Sequence, residues 1–568
     1  MRRDNLAICP SVLPDERGTD MMRPFSSWLT GSLLVLGSKP HAYARAGCAP
    51  GVSVVTTADG NDLSASVRFD AVLLLDFLPH HAVGAGRRLE ASITWARARL
   101  RPGGRLILAI DNALSLNGFA HGAEAPGRGG FPSLEGSSGP NGLRLPTRVG
   151  LRRSLQTCGL IHQAWWFPFP DRAQPVSLVA ERGLARQGGF DPGALAIGAA
   201  GPEPGSGDEA LFSLRRAWRQ VVDEGLAADL APAFLVAASE EPLPQDDRLA
   251  IHIGLRRRPE FERLVTFVAA GSQIHVRRTR RYPDLPPHVD GVANLLPSEA
   301  YVPGPLWSSA LDAQLARDGW CLDAVAAWAG TWLEAVSRSF VAGAALKPET
   351  ILPASALDAI PKNLVAGPIN TFIDLEWDLG APLDQGHLAV RGLVNALIDV
   401  PDWGRSGSSG LTLLDALQAL LPRLGLALDD AQLADRLARE SRFQSIVSGH
   451  ATERGLGWAA ATRLPAGGSA EARAVQAGSP RAIDDAAAEI ARLREENDAL
   501  RAARALDAAA HEAAGLESAR RTDRVIAYAA ELHRARDQLE ATLAARLAPS
   551  GRVGRLPLRL RRLLGRTT

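Results

Sequence analysis

The sequence predicts an α/β domain with a Rossmann-like sheet, followed by an α+β domain and a C-terminal coiled coil. Short apolar runs alternate with helical patterns over residues 31–182, as in a sheet with crossover helices. Residues 211–467 are mixed at first and helical afterwards. Residues 482–547 are rich in Ala, Leu, Glu and Arg and contain no proline, which is typical of a long helix.

The composition is that of an ordinary globular protein. Of the 568 residues, 46% are hydrophobic and 22% are charged. The 63 basic and 62 acidic residues nearly cancel, so no overall field attracts nucleic acid and we expect no nucleic-acid partner. No run approaches ~18 apolar residues, so we expect no transmembrane helix.

Cysteine usage and the N-terminal segment indicate a reducing, cytoplasmic location. The cysteines are far apart and have neither disulfide-framework nor zinc-ligand spacing; they are Cys9, Cys48, Cys158 and Cys321. Residues 1–30 form an N-terminal extension that lacks the apolar core of a signal peptide.

Several segments of the first domain have the pattern of particular elements. Residues 32–37 and 52–55 are predicted strands, and residues 69–76 form an apolar run of the kind found in buried parallel strands. Residues 87–100 have a helical period, and residues 100–110 are a turn that leads into another strand.

This pattern resembles the class I methyltransferases that use S-adenosylmethionine. The resemblance depends on the strand at 69–72 (Phe-Asp-Ala-Val), the helix that follows it, and the turn at 100–106 (Leu-Arg-Pro-Gly-Gly-Arg-Leu). The glycine-rich loop at 118–135 and the run at 166–171 (Trp-Phe-Pro-Phe-Pro-Asp) resemble a subgroup associated with bacterial surface-polysaccharide gene clusters. The resemblance implies S-adenosylmethionine as cofactor.

The glycine-rich loop expected after the first strand is degenerate. In this family, missing side chains let backbone amides of the loop approach the cofactor. Gly37 is present, but Lys39 and His41 stand where further glycines are expected. We therefore predict weak cofactor binding.

Acidic residues further along the domain are the remaining candidates for cofactor contacts. Either Asp59 or Asp62 could contact a ribose, and either Asp76 or His80 could line the pocket. Each is also compatible with a solvated loop position.

The second domain follows a predicted linker, residues 183–210, which is rich in Gly, Ala and Pro. Residues 263–268 and 273–277 are predicted to pair as strands. Helical spacing of apolar residues follows at 311–336 and 411–426.

One motif in this domain indicates phosphoryl transfer. Asp358 lies five residues before Asn363, and Asp374 follows an apolar run and precedes Glu376-Trp377. Kinase-type phosphotransferases supply a catalytic base and two magnesium ligands in this order. The simpler alternative is that Asp358 and Asn363 are turn residues and Asp374 caps a strand.

A small β-rich lobe before a helical lobe resembles the aminoglycoside- and choline-kinase-like phosphotransferases, and residues 301–306 match their hinge segment. The resemblance implies that Asp358 is the base for the accepting hydroxyl. It also implies that Asn363 and Asp374 bind Mg²⁺ with ATP.

Two positions depart from that family. Ala356 replaces a histidine that commonly lies two residues before the catalytic aspartate. The strand lysine that steadies the nucleotide phosphates is replaced by arginine, at Arg277 or Arg278, and we assign Arg277 to the cofactor. A noncatalytic kinase-like module is the alternative.

A second linker, residues 468–481, precedes the predicted coiled coil. Apolar residues and one asparagine recur in steps of three and four at Ile490, Leu493, Asn497 and Leu500. A polar residue at a core position fixes register in parallel coils, so we expect a homo-oligomer. A solitary solvated helix is the alternative.

Residues 548–568 form a basic tail in which arginines are interspersed with leucines. Such a segment suits an interfacial helix on the anionic surface of the inner membrane. A disordered or partner-binding tail is the competing interpretation.

The order of these parts resembles the bifunctional methyltransferase–kinases that cap O-polysaccharide chains in Gram-negative bacteria. The resemblance implies a cytoplasmic, membrane-peripheral transferase in lipopolysaccharide biosynthesis that modifies an undecaprenyl-linked glycan. Two alternatives stay open. The protein could be a catalytically impaired scaffold that recruits glycosyltransferases, or a single-activity methyltransferase whose later domain recognises substrate.

Overall fold

The computed structural model describes residues 14–36, 52–57, 63–64, 66–75, 89–120, 134, 145–199, 212–255, 257–400, 403–408, 410–452, 454–465, 531 and 534–538. The chain divides into two compact units, residues 1–474 and 475–568. In the second unit the described residues are helical. The rest of the predicted coiled coil and the whole basic tail lie outside the described residues. Among the described helices, none is long and apolar enough to span a membrane.

Eleven described strands form one mixed sheet. They are β1 (Ser32–Leu36), β2 (Ser53–Thr57), β3 (Phe69–Leu74), β4 (Leu100–Asp111), β5 (His162–Phe169), β6 (Ser177–Ala180), β7 (Ala233–Ser239), β8 (Arg248–Gly254), β9 (Arg263–Ala270), β10 (Gln273–Arg280) and β13 (Glu299–Ala300). Their spatial order is β13-β10-β9-β8-β6-β5-β7-β4-β3-β1-β2.

The strands β2, β1, β3 and β4 form a parallel block in that order. The chain moves from β1 to β2 on one side and then crosses back to β3 on the other side. The apolar runs that predicted β1 and β3 are buried from Leu33 to Leu36 and from Ala71 to Leu74. The predicted α/β fold with buried parallel strands is therefore observed.

Strand β7 joins two parts of the chain that the sequence assigned to different domains. It lies between β4 and β5, antiparallel to both, with Val236 opposite Leu108 on one side and Trp165 on the other. The sheet therefore runs across the predicted boundary at residue 211.

The predicted linker at residues 183–210 also differs from the prediction, because its described part contains helices that contact the sheet. A Cβ added at Gly183 would lie 2.2 Å from the Leu249 carbonyl oxygen on β8.

Helices cover one face of this sheet and an N-terminal segment covers part of the other. The helices are α1 (Leu89–Arg97), α2 (Leu116–Ala120), α3 (Arg148–Thr157), α4 (Glu181–Leu184), α5 (Gly193–Ala199), α6 (Leu214–Asp223) and α7 (Ala227–Leu230). On the opposite face, the 3₁₀-helical segment Pro14–Trp28 buries Met21, Met22 and Phe25 against the sheet. Part of the predicted N-terminal extension thus belongs to the core.

The later part of the first unit is mainly helical, with short strand pairs between the helices. The helices are α8 (Trp307–Leu315), α9 (Leu322–Phe340), α10 (Gln385–Ile398), α11 (Leu413–Arg423), α12 (Asp430–Ser448) and α13 (Leu456–Ala461). The strands are β11 (His288–Val289), β12 (Val292–Asn294), β14 (Ile351–Leu352), β15 (Leu364–Val365), β16 (Thr371–Phe372), β17 (Trp377–Asp378) and β18 (Leu383–Asp384). They surround a hydrophobic core that is separate from those on the two faces of the sheet and includes Trp332 on α9.

Candidate functional sites

The first candidate site lies at the carboxyl ends of β1 and β3. Leu36 and Leu74 are register partners and are both buried. Because the strand order reverses between β1 and β3, their carboxyl ends form the crevice where open α/β sheets bind ligands. The assigned residues Gly37 and Asp76 follow these two strands within a few positions, but both lie outside the described residues, as does Asp59.

An ion pair that the sequence did not predict lies at the same edge of the sheet. Arg172, in the loop after β5, donates from Nε to Asp111 Oδ1 at 2.8 Å. Its Nη1 also donates to the carbonyl oxygen of Leu75 at 3.3 Å, so it bridges the carboxyl ends of β3 and β4. Arg172 directly follows the Trp-Phe-Pro-Phe-Pro-Asp run, but its two partners lie 61 and 97 residues earlier in the chain.

The second candidate site is built from the predicted phosphotransfer motif. The side chain of Asn363 donates from Nδ2 to the backbone carbonyl of Asp358 at 3.0 Å. The backbone NH of Ile373 donates to the carbonyl of Asn363 at 2.8 Å. The next residue, Asp374, has a left-handed φ of 57°, which is uncommon outside glycine and concentrates at functional sites. The fold thus brings Asp358, Asn363 and Asp374 together.

Asp358 is buried and has a buried counter-ion. Arg391 on α10 donates from Nη2 to Asp358 Oδ1 at 2.9 Å and from Nη1 to Glu440 on α12 at 2.8 Å. Burial raises the pKa of Asp358 to about 6, against the opposing effect of the Arg391 charge. Burial acts to raise the pKa of Glu440, but the charge of Arg391 and the hydrogen bonds to the carboxylate together hold it well below its ordinary value.

Two arginines hold the carboxylate of Asp374. Arg263 donates from Nη1 and Nη2 to the two oxygens of Asp374 at 2.7 and 2.8 Å. Arg278 donates from Nε to Oδ1 at 2.8 Å. Burial acts to raise the pKa of Asp374, but the charges of Arg263 and Arg278 hold it well below its ordinary value.

Arg277 is not brought together with the other assigned residues. It is exposed, whereas its neighbour Arg278 is buried on the opposite face of β10. Successive side chains of a strand point to opposite faces, so Ile274, Val276 and Arg278 share the buried face. The apolar residues at Ile274 and Val276 were a signal in the sequence that could have identified Arg278.

In this arrangement the assigned residues do not fit a magnesium ion. Both oxygens of Asp374 accept hydrogen bonds from guanidinium groups, and Oδ1 of Asp358 accepts one from Arg391. Within the described residues, no group of three or more His, Cys, Asp or Glu side chains is placed to hold a metal. Mg²⁺ would have to displace at least one arginine from Asp374.

An open groove of about 820 Å³ lies beside α9, away from both candidate sites. It is lined by small residues of α9, including Ala327 and Gly330, and by the ion pair of Asp323 with Arg423. None of the assigned site residues lines it.

No protein-family model and no curated protein matches the chain. Among solved structures, a SAM-dependent methyltransferase from Archaeoglobus fulgidus is 12% identical; the match covers 39% of this chain and 93% of that one, with a TM-score of 0.22. A possible histamine N-methyltransferase from Thermotoga maritima is 12% identical over 40% and 92% of the two chains, with a TM-score of 0.22. A methyltransferase from Thiobacillus denitrificans, solved with S-adenosyl-L-homocysteine, is 12% identical over 39% and 91%, with a TM-score of 0.19.

Proposed function

We propose that the protein is an S-adenosylmethionine-dependent methyltransferase that acts on a lipid-linked glycan of the bacterial surface. The observation that supports this most directly is the strand order β2-β1-β3-β4, whose reversal forms a ligand crevice at Leu36 and Leu74. The glycan class is supported by the resemblance at residues 166–171 and by the order of the predicted parts.

In the proposal, the described residues at the carboxyl ends of β1, β3 and β4 flank the ligand crevice and accept a proton. When bound, S-adenosylmethionine supplies the methyl group. Leu36 and Leu74 end the two strands that flank the crevice. Arg172 fixes Asp111 through Oδ1, while Oδ2 accepts no hydrogen bond from any described residue. Asp111 Oδ2 can therefore accept the proton that an acceptor hydroxyl gives up.

The remaining parts of the chain serve substrate recognition and location in this proposal. The later, mainly helical part recognises the glycan. In this proposal, the predicted coiled coil at 482–547 joins copies of the chain, and the predicted tail at 548–568 binds the anionic membrane surface. The scaffold alternative shares these features but needs no methyl transfer.

Cofactor binding is the first test. Titration calorimetry with S-adenosylmethionine should give a Kd weaker than ~100 μM, about −5.5 kcal/mol, because Lys39 and His41 stand in the sequence where the loop after the first strand is expected to have glycines. A low-micromolar Kd would show that these side chains do not weaken binding. Absence of saturable binding up to ~1 mM would reject the methyltransferase proposal in favour of the scaffold.

Methyl transfer is the second test. Radiolabelled S-adenosylmethionine should label lipid-linked glycan extracted from membranes of the source bacterium. Asp111→Asn should lower the rate while the cofactor Kd stays unchanged, because its carboxylate lies beyond the strands that flank the crevice. Binding of the cofactor without any labelling would contradict the proposed substrate class.

Phosphoryl transfer from Mg-ATP is a second candidate function. It is favoured by the assembly of Asp358, Asn363 and Asp374 around a left-handed backbone position. It requires that at least one of Arg263 and Arg278 leave Asp374. If it operates, Mg-ATP should raise the melting temperature by mass action, and Asp374→Ala should abolish that rise.

A further inference from the structure

We propose that the guanidinium groups of Arg263 and Arg278 take the place of a divalent cation at Asp374. The loop that resembles a metal-binding segment of a phosphotransferase is then an internal ion-pair junction that does not take up Mg²⁺. This inference excludes the second candidate function, Mg-ATP-dependent phosphoryl transfer through Asp374. It does not depend on the proposed methyl transfer.

The geometry at Asp374 leaves little room for a metal. Arg263 occupies both carboxylate oxygens in a bidentate pair, the strongest geometry available to a carboxylate and a guanidinium. Arg278 adds a third hydrogen bond at 2.8 Å to Oδ1. A metal ligand must offer an oxygen lone pair to the ion, and three charge-assisted hydrogen bonds already occupy three of the roughly four lone-pair positions of the Asp374 carboxylate.

The charges around Asp374 are balanced without a metal. Arg278 also pairs with Glu299 at 2.6 Å, and Arg263 also pairs with Glu376 at 2.7 Å. Arg257 pairs with the other oxygen of Glu376 at 2.8 Å. Three arginines thus face three carboxylates, and an added Mg²⁺ would give this partly buried network an excess of positive charge, which is unfavourable.

The two arginines are placed by neighbouring strands. Arg263 begins β9, and Arg278 on β10 is the register partner of Val265, two residues further along β9. The two side chains are therefore diagonal neighbours on one face of the sheet. Glu299, which also pairs with Arg278, is held on the adjacent strand β13 opposite Val276. The positions of the two arginines are therefore set by strands of the sheet and not by a flexible loop.

Displacement of these arginines by a metal would be costly. Their side chains are only 6% and 3% exposed for Arg263 and Arg278. A guanidinium that leaves Asp374 without reaching solvent becomes a buried charge with an incomplete set of partners. The arrangement therefore favours the arginines over Mg²⁺ in competition for Asp374.

The full-length protein provides a direct test with Mn²⁺ as a paramagnetic probe. Electron paramagnetic resonance should detect no saturable Mn²⁺ binding up to ~1 mM, and the melting temperature should be the same in Mg²⁺ and in EDTA. Stoichiometric Mn²⁺ binding that Asp374→Asn abolishes would overturn the proposal.

Removal of the two guanidinium groups tests the same proposal by a gain of Mn²⁺ binding. The double variant Arg263→Met, Arg278→Met keeps apolar bulk while freeing the carboxylate, and it should bind Mn²⁺ at least ~10-fold more tightly than the wild type. Addition of Asp374→Asn should reverse the gain. A folded double variant that binds Mn²⁺ no better than the wild type would count against the proposal.

A matched control is available near the end of β10. Arg281 is also a buried arginine, with 4% of its side chain exposed, but it pairs with Glu262 and Asp20 and not with Asp374. Arg281→Met should therefore create no Mn²⁺ site. Equal Mn²⁺ binding by this variant and by the double variant would show that the gain is unrelated to Asp374.

Discussion

Asp358 and Arg391 form a buried ion pair, with Arg391 Nη2 donating to Asp358 Oδ1 at 2.9 Å. Only 4% of the Asp358 side chain and 5% of the Arg391 side chain are exposed. Arg391 belongs to α10 and also contacts Glu440 on α12. The aspartate at the centre of the phosphotransfer motif is thus anchored to the helical core.

This burial predicts a specific dependence of stability on pH. The pKa of Asp358 is raised by burial to about 6, above the value of about 4 expected in the unfolded chain. The folded protein therefore binds this proton more tightly, and the free energy of unfolding falls as pH rises from about 4 to about 6. Asp358→Asn should remove this contribution, which is on the order of 2–3 kcal/mol. Urea denaturation across that range measures it.

The control for the pH dependence is Asp323→Asn. The side chain of Asp323 is 82% exposed, so this variant makes the same chemical change without removing a buried carboxylate. An Asp358→Asn protein with the wild-type slope would contradict the assignment of that slope to Asp358.

Removal of Arg391 should be strongly destabilising. Arg391→Met leaves the carboxylates of Asp358 and Glu440 buried without their counter-ion, and we expect a loss of about 3–5 kcal/mol in the free energy of unfolding. The exposed pair of Arg423 with Asp323 provides the comparison, because Arg423→Met should cost less than ~1 kcal/mol. Chemical denaturation of both variants distinguishes them, and equal losses would show that burial of the Arg391 pair is energetically unimportant.

The contact of Gly392 with Trp332 should tolerate no added methyl group. A Cβ at Gly392 would lie 2.3 Å from Cη2 of Trp332. The indole cannot shift easily, because it is fully buried and its Nε1 donates to the Ala359 carbonyl at 2.6 Å. Gly392→Ala should therefore lower the free energy of unfolding by about 1–3 kcal/mol.

The matched substitution is Gly330→Ala on α9. A Cβ there meets no heavy atom within 4 Å, so the variant should gain about 0.5–1 kcal/mol from the better helix propensity of alanine. Thermal melts should thus shift in opposite directions for Gly392→Ala and Gly330→Ala. A shift in the same direction would contradict the close packing inferred at Gly392.

The position of β7 predicts how the chain can be divided. A fragment of residues 14–182 lacks β7 and leaves the facing edges of β4 and β5 unpaired, which favours aggregation. We expect no cooperative thermal unfolding from this fragment by circular dichroism. A fragment of residues 14–465 retains β7 and should unfold cooperatively. Cooperative unfolding of the shorter fragment would show that β7 is dispensable.

The sequence alone determined the elements whose signal is local. The apolar runs that became β1 and β3 are continuous because parallel strands are buried on both faces. The association of Asp358, Asn363 and Asp374 was also predictable, since short turns and one strand pair connect these three residues. Local chain geometry is sufficient in both cases.

Only the tertiary structure decided which distant residues complete these elements. Asp374 pairs with Arg263, 111 residues away, and with Arg278, 96 residues away. Likewise, the pairing of β7 with β4 and β5 is a property of the assembled sheet. No pattern along the chain specifies such partners, because they are selected by sheet register and by the need to neutralise buried charge. The sequence therefore predicts a metal ligand at Asp374, whereas the fold pairs Asp374 with two arginines.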